Sequence, residues 1–285
     1  LIVVDPSSPP PAPHRRRWRA RLRRALVILV PALLFYGALA YLLLPSLWRH
    51  YEHQKKLDGL PMVTSTAQGI PGDPINIGMV GSARDILCAM HAAGWYAADK
   101  VTWRSGLEIS GSVIFDRPYP TAPVSPLYYA GRVEDFAFER PVGKSADQRH
   151  HVRLWKVLDE GDEGRPVWLG AATFDRGVGF SHYTAAITHH IAPDVDAERT
   201  LIAGDLAAAG MLAARYQVMG LGPTLLGRNG GGDPYFTDGE VWVLRLVENC
   251  AKRTEPPEIL PDPPAIVFKD TIWNSVADLY RANSR

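Results

Sequence analysis

Residues 149–175 read Arg149-His150-His151-Val152-Arg153-Leu154-Trp155-Lys156-Val157-Leu158-Asp159-Glu160-Gly161-Asp162-Glu163-Gly164-Arg165-Pro166-Val167-Trp168-Leu169-Gly170-Ala171-Ala172-Thr173-Phe174-Asp175. His151–Leu158 and Val167–Asp175 each alternate between apolar and polar residues. The glycine-containing stretch 159–166 between them has the composition of a turn. This is the pattern of an antiparallel hairpin, and the rest of the chain is read outward from it. Upstream, Asp135–Arg140 alternates in the same way. Downstream, Ala185–Ile191, Arg215–Met219 and Glu240–Val247 are further strand candidates, the last two separated by the turn-rich Gly227–Pro234. Two helices interrupt the strands. Ser82–Asp99 places Ile86, Leu87, Met90, Ala93, Trp95 and Ala97 at helical spacing behind Ser82 as N-cap, and Asp194–Ala209 carries its acids early, where the helix dipole favours them. The order helix, strands, helix, strands predicts an α+β domain built on a mostly antiparallel sheet with flanking helices.

The chain has 285 residues, 46% of them hydrophobic and 21% charged, which excludes a wholly disordered protein; its two cysteines exclude a disulfide-framework miniprotein. The net charge of +1 conceals an asymmetry. Seven arginines fall between Arg15 and Arg24, and after Arg24 the chain carries 24 Lys and Arg against 29 Asp and Glu. A basic arm thus precedes a mildly acidic body. From Ala25 to Trp48 there are 24 residues without a charge, including Leu29, Leu33, Phe35, Leu39 and Leu43. As a helix they span roughly 36 Å, enough to cross a hydrocarbon core of about 30 Å. Pro31 sits near one end of that run, and Trp48 stands where an interfacial anchor is expected. Ala38-Leu39-Ala40 resembles a signal-peptide cleavage site, but the segment is read as an uncleaved anchor. With the arginines on its N-terminal side, the positive-inside rule puts the N-terminus in the cytoplasm and the body across the bacterial inner membrane, in the periplasm. Arg15–Arg24 would also meet anionic lipid headgroups, and an acidic exported body argues against nucleic-acid binding.

The expected organisation is a cytoplasmic Pro/Arg-rich arm over residues 1–24, a transmembrane helix over 25–48 and a linker over 49–74. An α+β domain follows over 75–252, and a Pro-rich tail with a short helix over 253–285. That helix, Asp270–Arg281, is amphipathic, with Ile272, Val276 and Leu279 on one face and Trp273 and Tyr280 beside it. Twelve residues alone are marginal as a helix in water, so the face is expected to pack on something, either its own domain or a partner. Cys88 and Cys250 both belong to the exported part; a bridge and a free buried pair are both open.

Histidines and acids concentrate at His150, His151, His189, His190, Asp194, Asp196 and Glu198. Such sets serve metal ligation or acid–base chemistry. Neighbouring strand residues point to opposite faces, so each His pair can give one ligand to a given face. A metal site would take one of His150/His151, one of His189/His190, and Asp194 or Asp196, with Asp175 and His182 as possible additions. The alternative is structural: packed histidines, Asp194 capping the following helix, and Asp196 and Glu198 complementing its dipole. No HExxH, paired CxxC, EF-hand, phosphate-loop or GxSxG motif occurs, and no cofactor or resident metal is expected.

Tyr119-Pro120-Thr121-Ala122-Pro123-Val124-Ser125-Pro126-Leu127-Tyr128, Gly131-Arg132 with Asp135 and Phe138, Arg149–Trp155, Val167–Asp175, and His189-His190-Ile191 leading to Asp194, Asp196, Glu198 and Arg199 follow one another in an order that resembles the LssY C-terminal domain family, over roughly residues 75–250. The resemblance implies a bacterial module sometimes fused to membrane domains similar to DedA proteins and lipid phosphatases. This sequence shows one span and no counterpart of either fusion partner, so no phosphatase activity carries over. Two functions are therefore expected. The first is a non-catalytic accessory subunit of a respiratory, photosynthetic or secretion complex, contacting other subunits through its transmembrane helix and both tails. The alternative is a membrane-tethered, metal-assisted hydrolase acting on lipid or envelope substrates.

Overall fold

The computed structural model describes residues 14–46, 56–57, 59–97, 126–142, 148–185, 187–218, 226–262 and 264–283. The chain divides into two compact units, Leu1–Tyr51 and Glu52–Arg285.

The first unit is a helix, α1 (His14–Ala38), continued by a π-helical turn over Leu39–Leu43. It begins eleven residues before the uncharged run, so part of the basic arm is helical as well. Pro31 is consequently interior rather than near an end, and its missing N–H leaves one backbone carbonyl of the preceding turn without its partner. The stretch Trp18–Ser46 is long and apolar enough to cross a membrane. Ala25, Leu29, Leu33, Phe35 and Leu43 are exposed and Leu39 half-exposed, as a lipid-facing helix requires. Trp48 lies outside the described residues.

The second unit contains, in chain order, β1 (Val63–Ser65), β2 (Pro71–Pro74), β3 (Ile77–Val80), α2 (Ala83–Ala92), β4 (Tyr96–Ala97), β5 (Tyr128–Tyr129), β6 (Arg132–Val133), β7 (Phe136–Pro141), β8 (Arg149–Leu158), β9 (Val167–Phe180), β10 (Ile187–Ile191), α3 (Val195–Ala208), β11 (Leu212–Val218), β12 (Leu226–Arg228), β13 (Pro234–Phe236), β14 (Val241–Leu246), β15 (Glu258–Ile259) and α4 (Pro264–Asn283). Among the described residues the main sheet has nine strands, in the order β15-β11-β14-β3-β9-β8-β7-β4, with β10 also on β9. Only β3–β14 and β11–β15 are parallel, so the α+β, mostly antiparallel class is as expected. β9 is the spine. Its fourteen residues outrun the expected Asp175 and pair with β3, β8 and β10 in turn.

Side chains of the sheet sort by parity. Ile77, Met79, Val152, Leu154, Trp168, Ala172, Leu244 and Leu246 meet Ile86 and Met90 of α2 and Ile202 and Leu206 of α3. On the opposite face Trp155, Leu169, Ala171 and Val241 meet Ile75, Leu127 and Tyr129. The small sheet β2-β1-β5-β6 contributes to this second layer. Two of its strands fall within residues read from sequence as linker, so the folded domain reaches further toward the N-terminus than expected.

Helix boundaries have local causes. Ser82 caps α2 in a reciprocal box: Asp85 N–H donates to Ser82 Oγ, and Ser82 N–H donates to Asp85 Oδ2. The helix stops at Ala92 rather than near Asp99. Gly94 takes φ +79°, and the Trp95 N–H returns to the Met90 carbonyl, turning the chain into β4. Asp194 caps α3 by accepting from Ala197 N–H. α4 starts at Pro264, six residues earlier than its apolar periodicity announced, because proline at the first helical position already has the required φ. Cys88 of α2 and Cys250 are joined by a disulfide across 162 residues, with Cα atoms 5.9 Å apart. The segment 98–125, which includes most of the proline-rich stretch quoted above, lies outside the described residues.

Candidate functional site

β8 offers Arg149, His151 and Arg153 to the face away from α2 and α3. Opposite them on β9 stand Asp175 and Thr173, and on β7 Glu139. All of these side chains are buried or nearly so, and Asp175, 1% exposed, is the hub. Arg149 Nε donates to Asp175 Oδ2 at 3.4 Å, His151 Nε2 lies 3.1 Å from Oδ1, and His189 Nδ1 lies 3.9 Å from Oδ2. Arg149 also reaches Glu139 at 3.0 Å and His189 Nε2 at 3.2 Å. Arg153 Nη1 donates to Asp73 Oδ2 at 3.3 Å, and its Nε is 3.8 Å from Glu134. Among the described residues, Thr173 Oγ1 and Tyr129 Oη, both buried, have no hydrogen-bond partner.

Four carboxyl groups, Asp73, Glu134, Glu139 and Asp175, thus share two guanidinium groups. Removing a carboxylate from water without a full countercharge favours its protonated form. Burial pushes Asp175 up to about 7, against the pull of Arg153 and Arg149. Burial likewise raises Asp73 and Glu139. His151 is held well below its ordinary value, first by burial and then by Arg153 and Arg149, so its imidazole is neutral. A neutral imidazole therefore faces a carboxyl group that titrates near neutrality.

The other candidates go elsewhere. His150, on the helix-covered face, places Nδ1 2.8 Å from Glu198 Oε2 of α3 and lies against Phe174, with ring centroids 4.7 Å apart. Asp194 is the N-cap of α3. Asp196 accepts from Thr237 Oγ1 at 2.7 Å and Asp238 N–H at 2.8 Å and lies 3.6 Å from Arg199; burial raises it to about 6. His190 turns to Asp233. The ligand set expected from sequence, one histidine of each pair with Asp194 or Asp196, therefore does not assemble. Strand parity sends His150 and His151 to opposite faces, and the acids at the start of α3 are used to fix that helix.

Sequence reasoning missed Asp73 and Asp233. Both precede a proline, in Asp73-Pro74 and Asp233-Pro234, and were read only as loop. Proline holds the preceding residue extended, which is the backbone both acids need to turn inward from strand ends.

The tail helix has two working faces. Ile266 and Trp273 are buried, Trp273 with Phe236, and Lys269 Nζ donates to Asp238 O and Glu240 Oε1 at 2.8 and 2.5 Å. Glu240 is pushed up to about 8 by burial and by Asp238. Of the two surfaces left open for this helix, its own domain or a partner, Trp273 meets its own domain. Ile272 (53% exposed), Val276, Val267 and Phe268 (70% exposed) point outward. Leu279 and Tyr280 lie on α4, but their side chains are outside the described residues.

The profile of one protein family, described as LssY C-terminus, matches residues 57–241. No curated protein and no solved structure matches the chain.

Proposed function

We propose, from the premise that the chain belongs to the LssY C-terminus family, that it serves as a single-pass accessory subunit of a bacterial membrane complex, of respiratory, photosynthetic or secretion type. The family domain would be held at the periplasmic face of the inner membrane by α1 and docked on a protein partner through the outer face of α4. The observation that carries this reading is the stripe Phe268, Ile272 and Val276 at i, i+4 and i+8, exposed on a helix whose other side is already seated through Ile266 and Trp273. A helix needing only its own domain has no use for a second apolar stripe. Its neighbourhood argues for a protein rather than a bilayer as the partner. Residues 255–283 carry Glu255, Glu258, Asp262, Asp270 and Asp278 against Lys269 and Arg281, the wrong balance for anionic headgroups. Arg15–Arg24 ahead of α1 supports a cytoplasmic N-terminus, and the Cys88–Cys250 disulfide supports an oxidising compartment for the body.

The test is a photo-crosslinking residue at Phe268 in native membranes, together with particle sizing in mild detergent. Adducts with one defined protein, lost in Phe268→Asp/Ile272→Asp while the fold is retained, are expected. A monodisperse monomer without adducts overturns the reading.

One observation favours the second reading, a membrane-tethered, metal-assisted hydrolase acting on lipid or envelope substrates. Asp175, raised to about 7 beside His151 held neutral, supplies one acid–base group matched to neutral pH. Hydrolysis of chromogenic esters or phosphoesters by the purified chain, abolished in Asp175→Asn, would support it; wild-type inactivity with and without added divalent metal would overturn it.

A further inference from the structure

Away from Asp175, three side chains meet where the β9–β10 hairpin approaches the turn Asn229–Asp233. His190 Nδ1 lies 2.7 Å from Asp233 Oδ1, and His182 Nε2 lies 3.6 Å from the same oxygen. The three ligand atoms are all within 4.8 Å of one another. We propose that His182, His190 and Asp233 form a binding site for one divalent transition-metal ion of the zinc class, with water completing its shell. The site stands whether the domain is an accessory subunit or a hydrolase.

The donor set fits that class: two imidazole nitrogens and a carboxylate suit zinc and its neighbours, whereas magnesium and calcium prefer oxygen alone. Metal–ligand bonds of about 2.1 Å in tetrahedral geometry separate neighbouring ligand atoms by about 3.4 Å. The spacings here bracket that value, and rotation of two side chains closes the difference. Without a metal, a proton shared between His190 Nδ1 and Asp233 Oδ1 occupies the place of the ion. Metal entry moves that proton to the other ring nitrogen or to solvent.

The surroundings are built for it. Asp233 is 1% exposed, and its Oδ2 accepts from Ile191 N–H at 3.0 Å. Its own N–H donates to Asn229 Oδ1, while Asn229 N–H donates back to the Asp233 carbonyl. The carboxylate is thus oriented by groups that do not compete for Oδ1, the arrangement expected behind a metal ligand. Two glycines leave room for the imidazoles. A Cβ on Gly179 would lie 2.3 Å from His190 Nε2, and one on Gly232, at φ +90°, would lie 2.7 Å from His182 Cβ. Asp73 lies close enough to Asp233 for the two carboxyl groups to interact. The nearby cation Arg228 spends Nη1 on the Gly232 carbonyl. The His182 side chain is 59% exposed, which leaves a solvent route for the ion and its water.

The test uses the full chain, without a histidine tag, in detergent and stripped by a chelator. Titration with Co2+ should give visible absorption saturating at one equivalent, displaced by one equivalent of Zn2+ and unaffected by excess Mg2+. His182→Ala and Asp233→Asn should each weaken Co2+ binding by at least about tenfold. His182 is exposed, so its alanine variant keeps the fold and decides the matter alone if Asp233→Asn fails to fold. Absence of stoichiometric uptake, or unchanged uptake in folded His182→Ala, overturns the proposal.

Discussion

Asp175 is the residue on which the polar layer of the sheet turns, and its protonation links that layer to pH. A carboxyl group raised to about 7 when folded, against an ordinary value of 3.8, binds its proton more tightly in the native state than in the unfolded chain. Stability therefore falls as pH rises through that window, and the full penalty is present above it. Asp175→Asn should remove this slope. The wild-type loss of unfolding free energy between pH 5 and pH 7.5, measured by urea denaturation, should shrink by about 2–3 kcal/mol in the variant. His151 acts in the opposite sense. Its folded value is depressed, so its contribution is present above the ordinary histidine range and is lost on acidification. Gly179 gives a second residue-scale prediction. In Gly179→Ala the new methyl must push the His190 ring aside, which should cost about 1–3 kcal/mol by chemical denaturation. The histidines, Asp175 and the acids at the start of α3 were legible in sequence as a chemistry-bearing set. Their pairing was not, because it depends on which strand face each residue occupies and on Asp73 arriving from β2 and Asp233 from the turn before β13.

At the level of elements, the hairpin β8–β9 was readable because its turn is glycine-bearing and its flanks alternate. The alternation misled in one respect. Both faces of β8 are covered, so the polar members of the pattern, Arg149, His151 and Arg153, are as buried as the apolar ones. β9 overran its expected end because Arg176-Gly-Val-Gly-Phe180 has little period of its own and becomes strand by pairing with β10. α2 shows how far a local signal carries. Ser82 announces its start correctly, while its end is set by Gly94, which apolar spacing passes over. Ser82→Ala removes the Oγ that accepts from Asp85 N–H and should lower stability by about 1 kcal/mol, read as a shift in urea midpoint at constant slope. α4 began earlier than expected because prolines that look like a tail in sequence include the residue that opens the helix.

For the whole molecule, α1 and the body differ in what they expose. The first exposes leucines along its length, and the second buries a two-layered core around one long strand. Cys88 and Cys250 close a loop spanning most of the body. Opening it should cost about 3–5 kcal/mol, seen as the difference in unfolding free energy between the oxidised protein and Cys250→Ser. The span, the fold class and the approximate order of strands could be taken from sequence because each rests on periodicity or length. The bridge could not, because two cysteines 162 residues apart carry no distance information.

That covalent link also governs how the body takes mechanical load. If α4 is pulled, its own seat on Phe236, Asp238 and Glu240 gives way first, and then the short strand β15 peels away from β11 by breaking two residue pairings. The peeling front then reaches Cys250 and halts, and tension is diverted sideways into α2 without unzipping β14. The bridge is thus a stop-knot in the backbone between the tail and the strands that carry Asp175.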